Sequence, residues 1–177
     1  MPAILRATVE AYVEAGTNGA TTADQGRALE DLICYVFTQV PGISITRRNE
    51  MNAFQTEEID VALWNDGHAD GFFFLPNIIL VECKNWSSRV SSSELSWFDT
   101  KLRSRGLNFG VLVAANGITG DAADITAAHS IVAAALREGR RLVVIRSDEL
   151  LPLTESSQLV WLVKEKLCDL AVKGTVA

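Results

Sequence analysis

Three residues in the first half of the chain have the types and the spacing for metal-dependent chemistry, two carboxylates that could hold an ion and a lysine beside them. Glu82 and Lys84 follow the apolar run 78–81 and are separated by one residue, so on a strand both side chains leave the same face. Asp60 lies in the alternating segment 57–64, and antiparallel pairing of the two segments would place it beside Glu82. Two such carboxylates repel each other unless a proton or a cation lies between them.

The ligand atoms available at such a site are oxygens, and oxygen ligands alone favour a hard cation. Mg²⁺ is the first expectation, because it binds carboxylates while keeping several of its own waters. Mn²⁺ is the next expectation, because it accepts the same ligands. The three cysteines of the chain are widely spaced and form no C-x-x-C pair, so they do not indicate a structural zinc site.

The elements that must position these residues follow from hydrophobic periodicity and from capping signals. Ser91 followed by Glu94 fits a capping box, which predicts a helix that begins there and runs to about Arg105. The other predicted helices lie within 1–16, 24–39, 121–138 and 154–173. The predicted strands are 43–48, 57–64, 78–81, 109–115 and 141–146. Strands and helices alternate in the later half, as in parallel crossover units, which indicates an α/β fold.

Glu30 on a core helix, Asp60 on the second strand and Glu82-x-Lys84 on the third resemble the PD-(D/E)xK restriction-endonuclease-like superfamily. The stretch Ile79-Leu80-Val81-Glu82-Cys83-Lys84-Asn85-Trp86 and the later strand 110–113 are most similar to Mrr-like restriction endonuclease catalytic domains. The resemblance covers about 24–146. It implies an α-β-β-β-α-β core with a mixed central sheet flanked by helices. We expect a single nuclease-like domain over 1–177, with helices 1–16 and 154–173 as additions to that core.

The resemblance also implies a role for each residue of the site. Asp60 and Glu82 would be metal ligands, and the backbone carbonyl of Cys83 would be a third. Lys84 would orient or deprotonate the attacking water, since partial desolvation can lower the pKa of an ammonium far enough for it to act as a base. Glu30 would bind a second ion or hold the waters of the first. A metal and a lysine in this arrangement suit phosphodiester hydrolysis, where charge develops on an anionic phosphorus centre.

Two departures from the family pattern accompany the resemblance. Ile59 rather than proline precedes Asp60, a change that the family tolerates. The helix after the motif carries Glu94, Ser96 and Lys101, but not the glutamine that many Mrr-like members have there. The sequence therefore does not show which residue of this chain, if any, makes the polar contact of that glutamine.

Charge is distributed unevenly along the chain, which has 16 Lys and Arg against 22 Asp and Glu, for a net charge of −6. Residues 1–83 carry 4 basic and 12 acidic side chains, residues 84–146 carry 9 and 5, and residues 147–177 carry 3 and 5. The basic middle part predicts phosphate contacts, so the net charge does not exclude nucleic acid but predicts weak, salt-sensitive binding. The predicted contacts are Arg89, Lys101, Arg103, Arg105, Arg47 and Arg48.

The leading hypothesis is a Mg²⁺-dependent DNA endonuclease in restriction or phage defence, with RNA not excluded as a substrate. A single site cuts one strand, so double-strand cleavage would require a homodimer or a partner subunit. One alternative is a non-catalytic nuclease-fold module that binds nucleic acid or a partner protein. Another is a Holliday-junction or repair nuclease. With no apolar run long enough to span a membrane and no secretory signal, we expect a cytoplasmic protein that does not bind membranes.

Overall fold

The computed structural model describes residues 2–85, 89–118 and 127–175. A mixed five-stranded sheet lies at its centre, with the strands in the order in which they occur along the chain. The strands are β1 (Ile43–Met51), β2 (Glu58–Asn65), β3 (Ile78–Lys84), β4 (Phe109–Ala114) and β5 (Arg141–Arg146). The first three strands pair antiparallel, whereas β3, β4 and β5 run parallel to one another. This arrangement confirms the predicted α/β fold with a mixed central sheet.

Helices cover both faces of the sheet. They are α1 (Arg6–Asn18), α2 (Thr22–Thr38), α3 (Ser92–Ser104), α4 (Ala127–Arg137), α5 (Ser147–Leu150) and α6 (Ser156–Lys173). Apolar residues of α1, α2 and α6 form one core with one sheet face, and those of α3 and α4, together with Leu170 of α6, form a second core on the other face. In the described ranges, no helix is long and apolar enough to cross a membrane. Trp86 and the first part of the predicted helix 121–138 lie outside the described residues.

The strand β3 is longer than its apolar run predicts. Residues 79–81 of the run are buried between the two cores, whereas Ile78 is exposed, and the strand continues through Glu82 to Lys84. It does so because β4 supplies a parallel partner for each of these polar residues, with Glu82 opposite Leu112 and Lys84 opposite Ala114. Hydrophobicity alone cannot detect this extension, because the pairing stabilises the main chain whatever the side chain is. The acidic and basic side chains of the motif are thus held on regular sheet.

A glycine in β4 allows α3 to lie close to the sheet. A Cβ at Gly110 would lie 2.7 Å from Leu102 Cδ1 and 2.8 Å from Phe98 Cζ, both on α3. Phe98 and Leu102 are almost fully buried, so neither side chain has free space into which it could move. The distance between α3 and the sheet therefore depends on the missing side chain at this position.

Replacing Gly110 by alanine should force α3 away from the sheet and destabilise the protein by about 1–3 kcal/mol, as overpacking does in other cores. Gly26 on α2 provides a matched control, because a Cβ there meets nothing within 4 Å. Gly26→Ala should stabilise the protein by about 0.5–1 kcal/mol through helix propensity. Urea unfolding of both variants measures the difference, and equal stability of Gly110→Ala and the wild type would contradict this packing argument.

Candidate active site

Antiparallel pairing of β2 and β3 brings the two predicted metal ligands together. The last matched pair at this end of the two strands is Val61 with Val81, and one further step in the same register sets Asp60 opposite Glu82. Asp60 Oδ2 accepts a hydrogen bond from the main-chain N–H of Cys83 at 2.7 Å. Regular pairing of β2 with β3 ends at this point, and the Asp60 side chain replaces the main-chain acceptor of the Cys83 N–H. This contact fixes the Asp60 carboxylate beside β3.

Asp60 is held in an environment that disfavours its negative charge. Burial raises its pKa most, the charge of Glu82 raises it further, and the value reaches about 6. The hydrogen bond from Cys83 and the charges of Lys84 and Lys101 lower the pKa but do not outweigh these effects. Two neighbouring carboxylates whose repulsion is only partly offset form a site that a divalent cation would stabilise.

Glu82 is buried, with only 3% of its surface exposed, and each of its carboxylate oxygens faces an ammonium group. Glu82 Oε1 lies 3.0 Å from Lys84 Nζ, and Glu82 Oε2 lies 2.7 Å from Lys101 Nζ. A buried carboxylate without such partners would be strongly destabilising, so the two lysines explain how an acid is tolerated at the end of the central strand.

Lys84 lies between two carboxylates, since its Nζ is also 3.2 Å from Glu94 Oε2. Burial by itself lowers the pKa of the Lys84 ammonium, but Glu82 and Glu94 together outweigh it and leave the pKa above its ordinary value. The raised pKa favours the charged form of Lys84, and its role in orienting or deprotonating the attacking water stays a prediction. The side chain stays protonated and supplies positive charge to the site.

The predicted capping box at the start of α3 is only half formed. Ser91 Oγ accepts a hydrogen bond from the main-chain N–H of Glu94, as predicted. The Glu94 side chain forms an ion pair with Lys84 instead of the reciprocal bond.

Lys101 was predicted to contact phosphate from the surface, and the structure corrects this expectation. The residue is only 4% exposed, and its Nζ donates to the main-chain carbonyl of Glu58 at 2.8 Å as well as to Glu82. It occupies the buried face of α3 beside Phe98 and Leu102. That spacing is a signal available in the sequence, because a residue three positions after the core residue Phe98 lies on the same face of the helix.

Glu30 on α2 is bound by side chains of β1. Its Oε2 accepts hydrogen bonds from Arg48 Nε at 3.2 Å, from Arg48 Nη2 at 3.1 Å and from Asn49 Nδ2 at 3.0 Å. The negative charge of Glu30 also contributes to the raised pKa of the Cys83 thiol, after burial and the charge of Asp60, so it lies near β3. Arg48 is thereby committed to Glu30 and Asp31. The predicted role of Glu30 toward a metal stays a prediction.

The other predicted phosphate contacts differ in how exposed they are. Arg47, Arg89 and Arg103 are exposed, and Arg103 contacts Glu138 at 3.0 Å. Arg105 is partly buried and bound to Glu57 at 2.7 Å. The role of these arginines toward phosphate stays a prediction.

Asn85 is a supporting residue that the sequence analysis did not identify. Its Nδ2 donates to the main-chain carbonyl of Gly16 at 2.8 Å and to that of Gln25 at 2.7 Å. These two bonds join the end of β3 to the end of α1 and the beginning of α2. Lys84 is thus followed directly by a residue that anchors the end of its strand.

The donors at this site fit a small hard cation. Within the described ranges, no three Asp, Glu, His or Cys side chains converge on one point where an ion could be held. A cation beside Asp60 and Glu82 would therefore have two carboxylates, a main-chain carbonyl and water as ligands. This is the set that Mg²⁺ accepts, because it keeps several waters in proteins. The ion would have to compete with the ammonium groups that already contact Glu82.

In metal-free protein, Asp60→Asn should raise stability at pH 8 by about 2 kcal/mol, because it removes a disfavoured charge. Asparagine keeps an oxygen that can accept from Cys83. With a folded pKa of about 6, above the unfolded value, the wild type should lose stability as the pH rises from 4 to 7, and the variant should not.

Thermal unfolding in EDTA across this pH range measures the effect. Asp70→Asn, in an exposed loop, is the matched control and should leave both the stability and its pH dependence unchanged. A wild-type pH profile shared by Asp60→Asn would contradict the proposed repulsion between the carboxylates.

Comparison with known families agrees with this geometry. Residues 24–145 match the family model described as restriction endonuclease, the Mrr catalytic domain. The matched range holds more than half of the chain, including Glu30, Asp60, Glu82 and Lys84. No curated protein matches the chain. The match confirms the resemblance to PD-(D/E)xK nucleases, and the chain belongs to the restriction endonuclease family of the Mrr catalytic domain.

Proposed function

We propose that this protein is a Mg²⁺-dependent DNA endonuclease that acts in restriction or phage defence in the cytoplasm. The observation that carries the proposal is the meeting of Asp60 and Glu82 on paired strands, with the protonated Lys84 beside them. Membership of the restriction endonuclease family supports nuclease chemistry, and that class of enzymes generally uses divalent metals. Mn²⁺ is the expected substitute for Mg²⁺, since it accepts the same oxygen ligands.

Each residue of the site has a distinct part in this proposal. Asp60, Glu82 and the carbonyl of Cys83 would hold the ion, and Glu30 would hold its waters or a second ion. When bound, the ion lowers the pKa of water and neutralises charge on the phosphate. Lys84 keeps its proton between Glu82 and Glu94, so it serves as a cation that binds a phosphate oxygen and stabilises the developing negative charge.

Contacts to the nucleic acid outside the site would come from the exposed cations. Arg47, Arg89 and Arg103 are exposed, whereas the chain as a whole has a net charge of −6. Few phosphate contacts and an overall negative field give weak binding that falls with rising salt. Cutting both strands of a duplex would require a second site, supplied by another copy of the chain or by a partner subunit.

Cleavage of supercoiled plasmid with Mg²⁺ tests the proposal. Lys84→Ala should lower the cleavage rate by about 10²-fold or more, because it removes a charge that acts on the transition state. Lys164→Ala is the matched control, because Lys164 lies on α6 over the rings of Phe73 and Phe74. The control should cut as the wild type does. Parallel assays on single-stranded DNA, RNA and a four-way junction identify the preferred substrate.

Cleavage by Lys84→Ala at the wild-type rate would contradict the site assignment. The second candidate function is a non-catalytic module that binds nucleic acid or a partner protein, and the engagement of both Glu82 oxygens by lysines favours it. Absence of cleavage on every substrate, together with absence of Mg²⁺ or Mn²⁺ binding at millimolar concentration, would support that second function.

A further inference from the structure

The two lysines that contact Glu82 differ in how firmly they are held. We propose that Lys101 is a fixed internal counter-ion of Glu82, which keeps this carboxylate in position without metal and weakens divalent-cation binding. Lys84 is the mobile partner, which leaves Glu82, keeps its ion pair with Glu94 and frees Glu82 Oε1 for the ion. This inference rests on the proposed function, because it concerns the regulation of the same metal site.

Burial and packing fix Lys101 in place. Its side chain is 5% exposed, and its ammonium joins Glu82 Oε2 to the main-chain carbonyl of Glu58. The helix that carries it lies close to the sheet over Gly110. The ammonium cannot leave Glu82 unless α3 moves or the Glu58 carbonyl loses its partner, and both changes are unfavourable in a packed interior.

Lys84 has a second partner, Glu94, at the edge of the site. Its side chain is 20% exposed, and that of Glu94 is 32% exposed. Lys84 contacts both carboxylates at once, so leaving Glu82 would cost it one of two ion pairs, and the pair with the more exposed Glu94 would hold the ammonium at the edge of the site. Glu82 Oε1 is therefore the oxygen that an incoming cation can reach, while Oε2 stays with Lys101.

The charges of the site explain the effect on metal affinity. In the metal-free site, the carboxylate of Glu82 contacts the ammonium groups of Lys84 and Lys101, and the carboxylate of Asp60 is bound to the main-chain N–H of Cys83. A divalent ion must enter a region where the positive charge of Lys101 remains. Removing that charge should tighten binding of the ion, because the repulsion between the two cations disappears. The same removal should slow cleavage, because Glu82 is no longer held in one orientation.

Calorimetric titration with Mn²⁺ tests the effect on affinity. Lys101→Met should bind Mn²⁺ about tenfold more tightly than the wild type, which corresponds to about 1.4 kcal/mol, while it cleaves plasmid more slowly. Lys101→Arg keeps the charge and should retain the wild-type affinity. Unchanged or weaker binding of Mn²⁺ by Lys101→Met would overturn the proposal, because a merely structural lysine would lower affinity and activity together.

Lys166 supplies a matched control outside the site. It is another nearly buried lysine in a short ion pair, with its Nζ 2.6 Å from Glu149 Oε1. Lys166→Met should lose thermal stability but bind Mn²⁺ as the wild type does. Tighter Mn²⁺ binding by this control as well would mean that the gain in Lys101→Met is not specific to the site, and the proposal would fail.

A double-mutant cycle in EDTA tests the counter-ion without any metal. Lys101→Met should lower the Tm by about 10 °C, because Glu82 is left with one fewer partner. Adding Glu82→Gln removes the orphaned charge and should recover at least half of that loss. Failure of the second change to recover stability would overturn the role of Lys101. If this recovery occurs but no variant binds Mn²⁺, the proposed metal dependence and the affinity effect are both wrong, and only the counter-ion role stands.

Discussion

The burial of the Glu82 carboxylate at the end of the central strand is the constraint on which the rest of this structure depends. An ionised acid that is only 3% exposed requires counter-charge within hydrogen-bond distance. Lys84 on the same strand and Lys101 on α3 provide it, one for each oxygen. The reach of Lys101 depends in turn on the close approach of α3 over Gly110. The position of the Glu82 carboxylate therefore depends on strand pairing, on helix packing and on charge balance.

The same constraint prepares the site for chemistry. Pairing of β2 with β3 brings Asp60 near Glu82, and the main-chain N–H of Cys83 holds it there although burial and the neighbouring charge raise its pKa to about 6. The free energy stored in this repulsion can be released by binding a cation. The two lysines oppose cation binding, because an ion that approaches Glu82 is repelled by their positive charge. Affinity for metal and stability of the metal-free protein are thus linked through the same few atoms.

The sequence predicts the fold and the residues at its centre better than it predicts their partners. Alternating and continuous apolar runs determine the strands, and the i, i+2 spacing of Glu82 and Lys84 places both on one face, because these properties are local. The inward position of Lys101, the length of β3 and the pairing of Glu30 with Arg48 depend on tertiary contacts. A motif shows which side chains belong to a site, but the packing of neighbouring helices decides which charges reach it.

The central claim is that Asp60 and Glu82 together bind a divalent cation. Calorimetric titration of Mg²⁺ into the wild type and into Glu82→Gln tests it most directly, because the substitution keeps the shape of the side chain and removes only its charge. We expect saturable binding to the wild type at millimolar Mg²⁺ and at least a tenfold loss of affinity in the variant. Equal Mg²⁺ binding by both proteins, or none by the wild type, would contradict the account.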